Sequence, residues 1–499
     1  MRKLLLATVA ALGASMGVAT VADAQTASPA PGTVTVRLNG RMRFYGYYAV
    51  DRDVDNNAAG SATGTVNAAG QGTLSGQNKA ANYGFGEYAR LYPGFDGVAA
   101  NGLKYGSSLE IRQDQVSGAG GGAFGSISQT SRSRAGLYFR RVWGYLGSNQ
   151  LGTIRLGAVD SASSLYMTGN FENFNDGGLN GDVPGLLNQN TYVTWPFADV
   201  GNLYTTNKVV YLSPQIFGFD AGVSFEPSTA ALSNGNNCGS GSPVGANFIN
   251  ANGAFTAAAG AAGQGVTGPG CDRLSSSPSN AESQRRRNNF DGLLRYRGSF
   301  GGVGIAATAG YIGGGHVLDN QTGVAFNSNP LVGATGIGTA TPLNGTVRND
   351  YEGLSVGDFG LAATFGGFSV GGKYQFGRFN GSFALLPRGL PDGEAVLVGT
   401  SYTFGPIIVG AHGLLYKSAG DISSAANGRK RVEHGLAAGA TYSLAPGVSL
   451  FLSYVYNERK QNGYNFVTNQ GTTAAAPRGN AFNNKVSSNL IALGTAFSW

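Results

Sequence analysis

Charge is scarce in this chain. Asp, Glu, Lys and Arg together make up 12% of its 499 residues, about half the share usual in soluble globular domains. That balance does not fit an ordinary cytoplasmic protein, and no nucleic-acid partner is expected of it. Long apolar runs are also missing: beyond residue 24 no stretch of 18 apolar residues occurs, so membrane-spanning helices are excluded. Histidine is nearly absent. His316, His412 and His434 are the only three, and none lies in a nucleophile signature such as G-x-S-x-G. Only two cysteines occur, Cys238 and Cys271, in one Gly/Asn/Ser-rich stretch. In an exported chain two such thiols are expected to pair and pin a long loop. Their spacing, without clustered histidines, argues against a metal site.

Export is expected from the first 24 residues. Arg2 and Lys3 give a positive start, Leu4 to Val21 a mostly apolar stretch, and Ala22-Asp23-Ala24 an A-x-A cleavage site. The organisation read from the sequence is therefore a signal peptide at 1–24 and one large β unit at 25–499. No proline-rich linker or abrupt change of composition divides the latter.

What the chain has in abundance is glycine, 82 residues, and aromatic side chains at 11%, arranged in segments that alternate with period two. Alternation places successive side chains on opposite faces of a strand. Such segments fall near 34–50, 83–96, 103–113, 134–147, 151–160, 203–213, 217–226 and 288–299. Eight more fall near 302–312, 354–365, 368–377, 394–404, 407–417, 432–444, 448–458 and 486–499. The gaps alternate short and long. Short ones carry turn chemistry, as in Gly366-Gly367 and Gly405-Pro406. Seven short turns and eight long loops predict an all-β fold: a 16-stranded antiparallel transmembrane β-barrel with short periplasmic turns and long extracellular loops. Closure leaves no unpaired edge in lipid.

The faces of these segments agree with lipid outside and water inside. In the last one, Ile491, Leu493, Thr495, Phe497 and Trp499 share one face, against Leu490, Ala492, Gly494, Ala496 and Ser498 on the other. Phe95, Phe217, Phe300, Phe365, Phe368, Phe404 and Tyr442 gather beside the short turns, as an interfacial aromatic girdle would.

A barrel of sixteen strands is too wide for wall side chains to fill, so its lumen is expected to hold water. The third long gap, about 161–202, carries Glu172, Asp176 and Asp182 among asparagines and glycines, and is the candidate to fold inward as a constriction loop. The wall expected to face it is basic. Arg37, Arg41 and Arg43 share the inward face of the first segment, and Arg90, Arg112 and Arg155 those of later ones. Each would cost roughly 2–4 kcal/mol in the mid-membrane lipid, whereas in a lumen it stays hydrated. Carboxylates opposed to guanidinium groups across a narrow aqueous gap would set up a transverse field, orienting dipolar solutes and disfavouring apolar ones.

Five segments carry a family resemblance: Leu38-Asn39-Gly40-Arg41, Tyr88-Ala89-Arg90-Leu91, Gly152-Thr153-Ile154-Arg155-Leu156-Gly157, Asn207-Lys208-Val209-Val210-Tyr211-Leu212-Ser213-Pro214 and the C-terminal strand ending in Phe497 and Trp499. With them the chain resembles the trimeric general porins of Gram-negative bacteria, in a form like those of alphaproteobacteria. The resemblance implies a multi-pass protein of the outer membrane, exported by a Sec-type route. Its strand ending in Trp499 would serve as an insertion signal read by the barrel-assembly machinery. It implies contact with outer-membrane lipid and lipopolysaccharide, and a homotrimer, for which outward Gly40 and Gly46 would suit close packing. It makes Arg41 and Arg90 members of a basic ladder, and Glu172 and Asp176 part of an acidic constriction loop. No cofactor is implied, apart from calcium in loops, for which Asp51, Asp53 and Asp55 are candidates; a solvated acidic loop is the alternative. Two departures stand out: Ala158 and Leu212 occupy positions where the family's ladder is often basic, with Arg155 and Lys208 available to compensate.

The function expected is passive diffusion of small hydrophilic solutes and ions through a water-filled pore narrowed by an acidic loop facing a basic wall. The alternatives are a sugar- or anion-selective channel, and, further off, an adhesin or structural barrel. A barrel enzyme would need a histidine base at work, and a TonB-type transporter an N-terminal plug.

Overall fold

A computed structural model describes residues 30–52, 82–114, 137–187, 191–197, 206–228, 287–315, 351–421 (without 382, 384 and 388), 430–466 and 484–499, with short pieces at 65–66, 72–73, 247–249, 255–257 and 470–471. Sixteen strands close into one barrel. They are β1 (Val34–Arg52), β2 (Tyr83–Val98), β3 (Lys104–Asp114), β4 (Tyr138–Ser148), β5 (Gly152–Val159), β6 (Thr206–Leu212), β7 (Phe219–Ser228) and β8 (Arg287–Phe300), followed by β9 (Val303–Gly315), β10 (Ser355–Phe365), β11 (Phe368–Arg378), β12 (Gly393–Phe404), β13 (Ile407–Ser418), β14 (Arg431–Ala445), β15 (Val448–Lys460) and β16 (Lys485–Ser498). Each pairs antiparallel with its chain neighbours. The ring closes where β16 pairs β1, with Phe44 opposite Thr495 and Ala49 opposite Leu490. The barrel and its strand count are those read from the sequence.

Two-residue turns explain the short connections. Gly366 and Gly405 take φ of +57° and +56°, a conformation costly for residues with a Cβ and suited to hairpins. The outer face is apolar: Leu38, Leu146, Leu361, Val398 and Leu493 stand 50–65% exposed, as the outward band of a membrane barrel does. Phe365, Phe368, Tyr402 and Phe404 form a stacked row beside the short turns, with ring centroids 4.3–5.6 Å apart.

The interior is not uniformly polar, contrary to a lumen filled with water alone. Leu397, Leu414, Ala437, Val455 and Leu490 point inward from β12–β16, and on them lie Leu179, Val183, Val193 and Phe197 of the β5–β6 connection. The cause is the composition of that connection, whose apolar residues need cover as much as its carboxylates need partners. A second connection also turns in. Between β11 and β12, Phe379 stacks on Phe383 and on Tyr416 at 5.6 and 5.8 Å, and the Tyr416 hydroxyl donates to the Gly381 carbonyl at 2.9 Å.

Candidate pore constriction

Register carries the arginines inward. In β1, Arg37, Asn39, Arg41, Arg43 and Tyr45 alternate with the exposed Val36, Leu38, Met42 and Phe44. Across the sheet, Arg41 stands opposite Arg90, and Arg90 opposite Arg112. Three guanidinium groups from adjacent strands thus share one level. Arg43 pairs laterally with Tyr88 instead, and the Tyr88 ring lies 4.3 Å from the Arg90 guanidinium carbon and 5.4 Å from that of Arg41. Aromatic faces disperse part of the mutual repulsion of these cations.

Beside them, β4 adds two cations that simple alternation does not reveal. The register slips between Glu110 and Ile111, a β-bulge that lets consecutive residues face the same side. Arg140 and Arg141 therefore both reach Glu110, at 2.8 and 2.9 Å, while Arg141 also meets Asp160 at 2.9 Å. Arg112 bonds Glu110 from its own strand.

The connection after β5 begins with Ser161, whose hydroxyl caps the short helix α1 (Ala162–Leu165). Its start is staked to the wall. The Ser163 amide donates to Asp291 at 2.5 Å, and the Arg295 guanidinium, itself paired with Asp220 at 2.7 Å, lies 3.8 Å from the Tyr166 ring centre. Beyond this the chain runs along inward glycines of β12 and β13. Phe171 and Phe174 lie so close to Gly399 and Gly410 that a Cβ at either glycine would collide with the ring. Asn173 donates to Ser401 at 3.1 Å and Asn175 to the Ala438 carbonyl at 3.3 Å. His412 accepts the Leu179 amide at Nε2, 3.1 Å away, and so is neutral at that nitrogen.

From this anchorage the acidic residues reach β1 and β2, about a quarter of the ring away. Asp176 bonds the Arg43 guanidinium and accepts the Val183 amide at 2.5 Å, and Asp182 pairs with Arg90 at 2.7 Å. Both carboxylates touch their arginines; the expected aqueous gap does not separate these pairs. Glu172 instead accepts from Asn180 at 2.8 Å within the loop. Burial pushes Glu172 up to about 7, against hydrogen bonds from Asn180 and Asn170. Burial likewise pushes Asp176 up, against Arg43. At Asp182 burial acts the same way, but Arg90, Arg41 and Arg43 outweigh it and hold the carboxyl below its usual range.

A cavity remains beside these contacts. Arg41, Arg43, Arg90, Arg112, Arg140 and Arg141 line one side of it, and Glu172, Asp176, Asp182, Leu165, Met167, Trp195 and Phe197 line the loop side. Six cations and five carboxylates, counting Glu110 and Asp160, border it. Arg37 and Arg155 also face the lumen but do not line this cavity: Arg37 pairs with Asp96 at 2.6 Å, and Arg155 lies over Trp143 at 4.6 Å. Lys208 is buried on the inner face of β6, and Leu212 follows it there. The sequence does not mark Arg140 and Arg141 as part of the basic wall, and it does not mark His412, one of the three histidines, as an anchor of the loop. The Arg140-Arg141 doublet, which breaks the period of two, was the available signal for the first pair; nothing local marks His412.

Phe497 and Trp499 are 41% and 59% exposed on the outer face, and the Trp499 amide and carbonyl both bond Gly40 at 3.1 Å. Residues 1–24, Cys238, Cys271, Asp53, Asp55 and His316 lie outside the described residues, as do 188–190 and 198–205 of the third loop and the side chain of Asp51.

A closed barrel, greasy outside and charged within, is the architecture of an outer-membrane channel protein. The sequence profile of the Gram-negative porins matches residues 7–462, and the chain belongs to that family. Among solved structures it is similar to an anion-selective porin from Comamonas acidovorans, with 14% identity, a TM-score of 0.46, and coverage of 94% of this chain and 100% of that one. A triple mutant of the Rhodopseudomonas blastica porin is similar too, at 14% identity, TM-score 0.42, and 93% and 100% coverage. No curated protein matches by sequence.

Proposed function

We propose that this porin conducts small hydrophilic solutes and ions by passive diffusion through a pore constricted by its third loop, with a preference for anions. One observation carries the reading: the segment anchored on β13 and β14 through Leu179 and Asn175 also bonds Arg43 and Arg90 on β1 and β2 through Asp176 and Asp182. A loop that lies on β13 and β14 and also bonds β1 and β2, about a quarter of the ring away, narrows the lumen and leaves the water path on the side of β2–β5. The lining supports the preference, since its six arginines exceed its five carboxylates and Glu172 is raised into the neutral range.

The same reading makes the chain a homotrimer, surrounded by outer-membrane lipid and lipopolysaccharide and inserted by the barrel-assembly machinery. It assigns no catalytic step. Planar-bilayer recording of the purified protein tests it. Ohmic steps in groups of three, with a reversal potential on the anion side in a salt gradient, are expected. Silent bilayers would leave the channel reading without support, and a cation-side potential would refute the preference.

A further inference from the structure

We propose that the constriction favours small organic anions carrying an aromatic ring (arene carboxylates) over equally charged hydrophilic anions. This rests on the anion-preferring channel proposed above and adds its substrate class.

The cavity has two walls of different chemistry. On the barrel side, Arg41 differs from the other five arginines of the lining. Arg43 and Arg90 are bound by Asp176 and Asp182, and Arg112, Arg140 and Arg141 share Glu110. Arg41 lies by the Tyr88 ring, 5.4 Å from its guanidinium carbon, acts on Asp182 and Asp176 only at longer range, and has no carboxylate within ion-pair distance among the described residues. It is the cation still available to a solute, and its planar fork suits a carboxylate.

On the loop side, the same cavity is bordered by Leu165 and Trp195, both half-exposed, with buried Met167 and Phe197 beside them. The indole is braced in place: Phe197 meets it edge-on at 5.2 Å and His412 lies 6.1 Å away on its other contact, while His412 is itself fixed by the Leu179 amide. Such a patch does nothing for chloride or a sugar acid, and water covers it poorly. An arene carboxylate satisfies both walls at once, its charge on Arg41 and its ring against Trp195 and Leu165. Charge alone would treat all monocarboxylates alike; the second wall separates them by their apolar part.

The test uses single channels of the full-length protein carrying chloride current, with benzoate, acetate and gluconate as added probes. Benzoate should interrupt the current at a concentration about fivefold or more below that needed for acetate or gluconate, the factor an aromatic contact supplies. Trp195→Ala should bring benzoate down to the level of acetate, and Arg41→Gln should weaken both together. Because Trp195 also supports the loop, Leu165→Asn serves as a second variant and should narrow the gap between benzoate and acetate. Equal interruption by benzoate and acetate in the unmodified channel overturns the proposal while leaving the anion channel standing. A gap that survives both Trp195→Ala and Leu165→Asn overturns it as well. A channel that prefers sodium to chloride overturns the underlying reading, and this inference with it.

Discussion

Asp182→Asn is the sharpest perturbation of the lumen. Asp182 is about one-third exposed and, among the described residues, its ion-pair partner is Arg90, at 2.7 Å; unlike Asp176, it holds no backbone amide of the turn among the hydrogen bonds described. The substitution therefore removes one negative charge with little disturbance of the loop, and takes the Asp182 carboxylate away from Arg90 at the cavity edge. A unit charge about 4 Å from an ion in bulk water contributes about 1 kcal/mol, equivalent to roughly a fivefold change in local ion concentration. Salt screens this interaction within about 10 Å at 0.1 M, so the effect is largest in dilute electrolyte. The anion-to-cation permeability ratio should thus rise by about fivefold or more at low salt and by less at high salt, read as a shift of the reversal potential in a potassium chloride gradient. Arg90→Gln should move the potential the other way. An unchanged ratio at low salt in both variants would refute the placement of this pair at the conduction path.

Other outcomes follow from the same structure. Glu172, at about 7, and Asp176, also raised by burial, gain protons as pH falls from 8 to 5, so the lumen loses negative charge and anion preference should rise; Glu172→Gln should remove the upper part of that change in a pH series of reversal potentials. By linkage, the folded loop keeps a proton that the unfolded chain has already released, so its seating weakens as pH rises through this window. Gly410→Val forces a side chain into the space of the Phe174 ring, at a cost of about 1–3 kcal/mol for overpacking, and should raise conductance as the loop lifts from β13. On the lipid face, Leu493→Arg should destabilise the barrel by about 2–4 kcal/mol if it sits near the midplane, measured by denaturant titration of folding into bilayers.

The barrel was legible because its signals are local. Alternation in segments such as 368–377, glycine turns such as Gly366-Gly367, and the arginine face of β1 each lie within a dozen residues, and each found its place in the closed sheet. The loop's landing site was not legible. Gly399 and Gly410 read as neutral fillers of strands, and only the long-range approach of Phe171 and Phe174 gives their missing side chains a purpose. His412 was similarly opaque, since its partner amide lies 233 positions away in the chain. The bulge at Arg140 and Arg141 was half-visible: the doublet broke the period, but which way each side chain turned depended on β3. Apolar residues of the third loop were overlooked because its carboxylates drew the attention, yet both kinds of residue fix its course.

Chemical modification inside the lumen tests the central claim most directly, that the third loop is seated within the conducting pore. Asn180, half-exposed on the cavity, can be replaced by cysteine in a chain whose Cys238 and Cys271 are changed to serine. Attachment of a bulky thiol reagent to Asn180→Cys should then lower single-channel conductance severalfold, reversibly on reduction. Full labelling with unaltered conductance would mean that ions pass elsewhere.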